Sequence, residues 1–102
     1  MYILAVTSCP VGIAHTYMAA SNLEKCAKKK GLEVKVETQG ATGVENEITQ
    51  EDIKKANAVI IASDVRIKNA ERFEELPTLT VGVSEAIKNA DEIIEELLEA
   101  IE

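Results

Sequence analysis

The chain has 102 residues, of which 46% are hydrophobic, and this size suits one domain with a single core over residues 1–102. Its 18 acidic and 11 basic residues give a formal net charge of -7, which argues against nucleic-acid partners and anionic membrane surfaces. No apolar run reaches the roughly 20 residues that a membrane span needs, and no signal peptide is recognisable, so we expect a cytoplasmic protein without membrane insertion.

The first half of the chain alternates between strand-like and helix-like patterns. Residues 2–6 predict a strand, and a helix is expected from about residue 15 to residue 30, where lysines and Gly31 suit its C-terminal end. Residues 33–37 alternate charged and apolar side chains, which indicates an edge strand with its charged side chains, including Glu37, facing water. A glycine-rich loop is expected at residues 39–43.

The second half continues the same alternation. Thr49 and Asp52 form the pattern of a capping box at the start of a short helix. Residues 58–62 are continuously apolar, as in a strand covered on both faces, and residues 78–81 alternate like an edge strand. A short helix is expected around residues 70–75, and one long amphipathic helix is expected to begin at Ser84 as N-cap.

These elements predict an α/β fold with three layers. Right-handed crossovers would place four parallel strands in the order 2-1-3-4, with helices on both faces. Connections then leave strands 1 and 3 in opposite directions, and ligands of open α/β sheets bind at the carboxyl ends of such strands. The loop from residue 7 to residue 16 leaves strand 1 at this position.

This first loop carries the residues that are best suited to chemistry. A thiol at a helix N-terminus is activated by the helix dipole and by unpaired backbone N–H groups, so Cys9 is the candidate nucleophile. The same N–H groups can bind an anion, and Gly12 permits close approach of a phosphate. The candidate phosphate-binding residues are Pro10, Val11, Gly12, Ile13, Ala14, His15 and Thr16.

Charge is absent from the region around this loop. No Asp, Glu, Lys or Arg occurs between Met1 and Leu23, although the rest of the chain is densely charged. Such a stretch does not repel a bound phosphate, and it contains no Gly-Lys-Ser/Thr nucleotide motif. Two distant cysteines and one histidine do not form a spaced ligand set, so we expect neither a metal nor a cofactor.

The residues alone leave several interpretations open. Cys9 suits a transient phosphocysteine, but a small Cys-dependent phosphatase also places a thiolate in such a loop, with an arginine six residues later, where this chain has His15. A non-catalytic module that binds an anion is the other alternative. Cys26 lies on the apolar face of the first helix and is interpreted as a core residue.

Two segments resemble one protein family. Residues 9–20, Cys-Pro-Val-Gly-Ile-Ala-His-Thr-Tyr-Met-Ala-Ala, and the Glu-Thr-Gln-Gly and Gly-Val-Glu-Asn runs within residues 37–46 are similar to the fructose-type enzyme IIB of the bacterial phosphoenolpyruvate-dependent sugar phosphotransferase system. Similar spacing continues to Arg72 and Phe73. The chain departs from the usual pattern at Val11, where the family has a threonine, and at Tyr17, where it has a phenylalanine.

The resemblance implies a role as a phosphoryl carrier. Cys9 would accept a phosphoryl group from a phosphohistidine of enzyme IIA and pass it to fructose, or a related sugar, bound by the membrane enzyme IIC. The protein would thus act at the inner face of the membrane. The segment after the second strand is expected to support the loop or to dock a partner, through Gln39, Gly40, Gly43, Glu45 and Asn46.

Overall fold

The computed structural model describes residues 1–8, 13–40, 43–68 and 70–101. The strands are β1 (Tyr2–Ser8), β2 (Glu33–Gly40), β3 (Gly43–Glu45), β4 (Ala58–Ser63) and β5 (Thr78–Val81). The helices are α1 (Ile13–Lys29), α2 (Gln50–Lys55), α3 (Val83–Lys88) and α4 (Ala90–Ile101), with a one-turn 3₁₀ helix (Ala70–Phe73) between β4 and β5.

The strands form one sheet in the order β3-β2-β1-β4-β5. β1 pairs in parallel with both β2 and β4, and β5 pairs in parallel with β4, whereas β3 is antiparallel to β2. The α/β class and the mostly parallel sheet are therefore confirmed. The prediction of four strands in the order 2-1-3-4 is wrong, because β3 adds a fifth strand at the edge.

The missed strand lies where the sequence predicted a loop. β2 extends beyond the expected residue 37 to Gly40, and the short β3 then folds back, with Gly40 opposite Gly43. All three residues of β3 are exposed, so no apolar alternation marks it as a strand. Gly43 has a φ of 118°, a conformation that residues with a side chain rarely adopt, which explains why glycine occupies this position. Residues 41 and 42 lie outside the described residues.

The core has two parts, one on each face of the sheet. On one face, α1, α3 and α4 cover a large cluster that includes Ile3, Ala5 and Ile60 of the central strands. On the other face, Leu4 and Val6 pack with residues of the shorter segments, including Ile48 and Phe73. The central strands β1 and β4 are therefore buried on both faces, as their apolar runs predict.

Several helix ends follow the sequence predictions. Thr49 and Asp52 form a capping box at the start of α2. Gly31, just after α1, has a φ of 78°, the left-handed conformation expected at a helix end. The helix predicted around residues 70–75 is the one-turn 3₁₀ helix instead, since only one turn is completed there before β5.

The long closing helix was predicted wrongly. It is divided at Asn89, whose backbone (φ -127°, ψ 35°) departs from helical geometry, into α3 and α4. The N-cap of α3 is Gly82 rather than Ser84, and glycine has no side chain that could accept a capping hydrogen bond. The carboxylate of Asp64 takes over this task by accepting a hydrogen bond from the Val83 N–H at 3.2 Å.

Candidate functional site

The site lies at the carboxyl ends of the central strands. β2 lies on one side of β1 and β4 on the other, so the connections that follow β1 and β4 leave in opposite directions. This reversal between β1 and β4 is the switch point at which ligands of open α/β sheets bind. Ser8, the last residue of β1, lies opposite Gln39 of β2 and Ser63 of β4. The chain leaves β1 at Ser8 and enters α1 at Ile13. Of the predicted site residues, Cys9, Pro10, Val11 and Gly12 lie outside the described residues.

The first turn of α1 contains the remaining loop residues. Ile13 and Ala14 belong to the helix, so their backbone N–H groups are among those that have no intrahelical partner. His15 is exposed, whereas Thr16 is buried. No charged side chain occupies this turn, which leaves the positive end of the helix dipole without local compensation.

Two buried threonines join the end of β1 to the start of α1. The Thr7 hydroxyl donates a hydrogen bond to the Thr16 carbonyl at 3.2 Å, which fixes how far the helix start lies from the strand. The Thr16 hydroxyl is itself buried and has no hydrogen-bond partner within the described part of the chain. A buried hydroxyl without a partner is costly, so this group is available to a ligand or to the neighbouring loop.

A buried ionic network centred on Glu37 lies in the carboxyl-terminal half of β2, the neighbour of β1. Glu37 is fully buried, contrary to the prediction that it faces water. Its carboxylate accepts hydrogen bonds from Arg72 Nη1 at 2.9 Å and Nη2 at 2.5 Å, from the Ile48 N–H at 2.9 Å, and from Gln39 Nε2 at 2.8 Å. Arg72 also stacks on Phe73, with its guanidinium carbon 4.6 Å from the ring centroid.

The network keeps Glu37 ionised. Burial acts to raise the pKa of Glu37, but the hydrogen bonds from Arg72, Ile48 and Gln39 outweigh burial and hold it below its ordinary value of 4.5. Sequence reasoning missed the network. The one sequence feature that could have indicated it is Arg72, because a buried carboxylate needs a positively charged partner.

Gln39 connects this network to the segment after β4. Its side-chain oxygen accepts a hydrogen bond from the Lys68 N–H at 2.9 Å, and its Nε2 donates to the Lys68 carbonyl at 3.2 Å. Because Gln39 is buried, its side chain supports neighbouring backbone and does not present itself to a partner.

The other residues expected near Gln39 have different environments. Gly40 and Gly43 face each other across the β2–β3 hairpin. Asn46 adopts a left-handed conformation with φ 56°, and its side chain donates to the Val36 carbonyl at 3.0 Å. Glu45 is exposed and accepts a hydrogen bond from the Tyr17 hydroxyl at 2.7 Å, which links β3 to the first turns of α1. Gly40, Gly43, Glu45 and Asn46 are all exposed, so Gln39 is the buried member of the group.

Cys26 lies far along α1 from this end of the sheet. It is partly buried against the core, in agreement with its interpretation as a core residue. Burial raises the pKa of its thiol, and hydrogen bonding to Asp91 raises it further, so the thiol is not activated.

The described residues contain neither a membrane-spanning helix nor a metal-binding cluster. No helix among them is long and apolar enough to cross a membrane. No group of three or more His, Cys, Asp or Glu side chains within the same ranges could hold a metal ion. The described chemistry at the site is thus a helix N-terminus without charged side chains, two threonine hydroxyls and an exposed histidine.

Comparison with known proteins gives consistent matches. The family model described as "PTS system, Lactose/Cellobiose specific IIB subunit" matches residues 4–96. The chain is 54% identical over 95 residues to "PTS system fructose-like EIIB component 2" of Escherichia coli K12, with 93% of this chain and 90% of the relative covered. It is 49% identical over 96 residues to "PTS system 2-O-alpha-mannosyl-D-glycerate-specific EIIABC component" of the same strain, covering 94% of this chain and 15% of that protein.

A solved structure agrees with these relatives. A domain of the fructose-specific IIABC component of the phosphotransferase system from Borrelia burgdorferi is 48% identical and superposes with a TM-score of 0.91, covering 96% of this chain and 93% of that one. Family model, relatives and structure each extend over almost the whole chain. The chain therefore belongs to the IIB family of the sugar phosphotransferase system and is similar to its fructose-like members.

Proposed function

We propose that this domain, spanning residues 1–102, carries a phosphoryl group on Cys9 between two protein partners. The donor is the phosphohistidine of an enzyme IIA, and the acceptor is fructose or a related sugar bound by a membrane enzyme IIC. The observation that carries the proposal is the position of the family match: residue 9 directly follows Ser8, at the carboxyl end of a central strand beside the switch point.

The transfer consists of two displacements. In the first, the Cys9 thiolate attacks phosphorus, a sulfur–phosphorus bond forms, and the nitrogen–phosphorus bond of the phosphohistidine breaks to release the imidazole. In the second, a sugar hydroxyl attacks phosphorus, the thiolate leaves, and the hydroxyl proton passes to solvent. Both steps need an aligned nucleophile and fixed donors around the phosphoryl oxygens.

The described surroundings of residue 9 support such a carrier. Backbone N–H groups at the start of α1 and the hydroxyl of Thr16, which has no partner among the described residues, are suitable donors for phosphoryl oxygens. Val11 has no hydroxyl, so we assign to Thr16 the contact that a threonine at position 11 would make. The nearby stretch offers no carboxylate base to activate water, which favours a phosphocysteine that persists until the acceptor arrives.

Fructose is the sugar that the relatives favour. The matched family model is named for lactose and cellobiose, whereas the relative that is 54% identical is named fructose-like. We expect the sugar itself to be bound by enzyme IIC at the inner face of the membrane, so that this domain supplies the phosphoryl group and no sugar pocket.

Mass spectrometry tests the proposal directly. Incubation with a phosphorylated IIA protein should add the mass of one phosphoryl group to the wild-type chain, and Cys9→Ser should abolish the addition. Cys26→Ala is the matched control and should gain the same mass as the wild type. Modification that persists in Cys9→Ser but is lost in His15→Ala would make His15 the acceptor and contradict the mechanism.

A further inference from the structure

The segment of residues 64–68 follows β4 at the edge of the sheet where β1 ends at Ser8. It begins directly after Ser63, the last residue of β4, which pairs with Ser8 at the end of β1. Both the 64–68 segment and the loop after Ser8 therefore leave the sheet at the same edge, from adjacent strands. A protein that delivers a phosphoryl group to residue 9 approaches over this edge.

The side chains of this segment are divided between the core and the surface. Ile67 is buried in the smaller core cluster, whereas Val65, Arg66 and Lys68 are exposed, Val65 with 44% of its surface accessible. Val65 lies between the acidic Asp64 and the basic Arg66, and an exposed apolar side chain rimmed by polar residues is typical of a protein interaction surface. Among the described residues, the segment thus presents two cations and one apolar group at the edge of the site, together with Asp64, whose carboxylate accepts a hydrogen bond from the Val83 N–H.

Hydrogen bonds hold the backbone of the segment at both ends. The Ser63 hydroxyl contacts both backbone groups of Val65, at 2.5 Å to its carbonyl oxygen and 3.1 Å to its nitrogen. At the other end, the Gln39 amide pairs with both backbone groups of Lys68. A surface that is already ordered loses little conformational entropy when a partner binds.

Charge at this edge of the sheet is distributed unevenly. The start of α1 has no charged residue, and β3 contributes the acidic Glu45, which lies opposite Thr38 of β2. Asp64 is engaged with the first N–H of α3. In the described loops that follow the strands at this edge, Arg66 and Lys68 are the residues with a permanent positive charge.

The remaining lysine clusters lie elsewhere. Lys28 and Lys29 end α1, and Lys54 and Lys55 end α2 just before β4 begins, so both clusters are at the amino ends of the strands. Lys28 is also paired with Glu24. In a chain of net charge -7, the cations at the carboxyl edge are therefore concentrated in the 64–68 segment.

We propose that the 64–68 segment is the docking surface for the phosphorylated donor protein. Arg66 and Lys68 attract the doubly negative phosphoryl group that the donor carries, and Val65 provides an apolar contact. The inference rests on the proposed phosphoryl transfer and adds the surface that guides it. Charges at the edge of an interface mainly set the rate of association and its dependence on salt.

Two matched charge variants test this surface. Arg66→Gln/Lys68→Gln removes two positive charges at the proposed surface, and Lys54→Gln/Lys55→Gln removes two at the opposite edge. The rate of phosphate addition to each full-length variant is measured against the concentration of phosphorylated IIA protein, at low and high salt. All four substituted side chains are exposed, so circular dichroism should show that both variants are folded.

The Arg66→Gln/Lys68→Gln variant should have a kcat/KM about tenfold lower at low salt, the lower end of electrostatic steering effects. Its rate at saturating donor should match the wild type, and salt should affect it less. Arg66→Lys/Lys68→Arg should restore the wild-type value. Equal kcat/KM values for the two glutamine variants would overturn the inference, whereas a wild-type chain that gains no phosphate would contradict the proposed function instead.

Discussion

Two ion pairs lie on the same face of β2, one at Lys35 toward its amino end and one at Glu37 toward its carboxyl end, and the pairs differ in burial. At the carboxyl end, Glu37 and Arg72 leave 1% and 16% of their side-chain surfaces exposed. At the amino end, Lys35 and Asp52 retain 24% and 18%, with Lys35 Nζ 2.7 Å from Asp52 Oδ2. Alternation along a strand places residues 35 and 37 on one face, so position along β2 separates the two pairs.

The difference reflects what each pair connects. Lys35–Asp52 joins β2 to the start of α2, where Asp52 also accepts hydrogen bonds from the Tyr2 hydroxyl and from Thr49. Glu37–Arg72 joins β2 to the 3₁₀ helix and, through Gln39, to Lys68 at the edge of the candidate site. Water can replace a lost partner at the first pair but has little access to the second. The buried pair therefore makes the site edge depend on a single carboxylate.

The largest effect is expected for Glu37→Gln. This substitution leaves Arg72 as a largely buried cation without its counter-ion, and breaking such pairs costs about 3–5 kcal/mol of unfolding free energy. Lys35→Met, which breaks the more accessible pair, should cost less than about 1 kcal/mol. Urea unfolding of the two variants measures the difference in unfolding free energy. Equal losses of unfolding free energy would show that the two ion pairs do not differ in their contribution to stability.

A double substitution separates charge from hydrogen bonding. In Glu37→Gln/Arg72→Met no uncompensated charge remains, so this variant should be more stable than Glu37→Gln alone. Acid provides an independent check. Because the pKa of Glu37 is lowered in the folded protein, its stabilisation is present above the unfolded value of 4.5 and is lost as the pH falls below it. Wild type and Glu37→Gln should therefore converge in stability in acid.

Much of the fold followed from periodicity. The apolar runs at β1 and β4 predicted central strands because both of their faces are covered, and the capping box at Thr49 was visible because its two residues are local. β3 was not predictable, since its pairing with β2 depends on a hairpin of exposed residues. The break at Asn89 also escaped, because the apolar stripe continues through both helices that it separates.

The candidate site divided in the same way. The end of β1 beside β4 and the helix that begins soon after it follow from strand order and helical periodicity, which sequence patterns reveal, whereas the burial of Thr16 was not predicted. Glu37 was assigned to the surface by alternation. Its burial depends on Arg72, 35 residues later, and no local pattern predicts such a contact. The identity of Cys9 as nucleophile stays a prediction.

The second effect in size is expected at the amino end of β2, for Asp52→Asn. The hydrogen bond from Lys35, together with those from Thr49 and Tyr2, holds the pKa of Asp52 well below its ordinary value of 3.8. Losing the carboxylate weakens both the ion pair and the capping box, which should cost about 1–2 kcal/mol. The loss should be complete above pH 3.8 and should shrink as the pH falls from 3.8 toward the lowered pKa of folded Asp52, because the unfolded chain takes up the proton first.

A loss for Asp52→Asn as large as that for Glu37→Gln would contradict the comparison. Thr49→Ala is the matched control, since it removes the capping hydroxyl but leaves Asp52 paired with Lys35. It should cost about 1 kcal/mol at neutral pH. A greater loss in Asp52→Asn than in Thr49→Ala then reports the contribution of the ion pair itself.

The smallest effect is expected for Tyr2→Phe, which removes the hydroxyl that donates to Asp52 Oδ1 at 2.9 Å. At neutral pH the loss should be about 0.5–1 kcal/mol, since water can replace the donor. Burial and the nearby Asp52 raise the pKa of Tyr2 from 10.0 to about 12. The contribution of the hydroxyl is therefore complete below pH 10 and is lost as the pH rises toward 12, because the unfolded chain ionises first. Urea midpoints of wild type and Tyr2→Phe should thus differ at pH 7 and approach each other in alkali, whereas a constant difference would show that Asp52 does not depend on this donor.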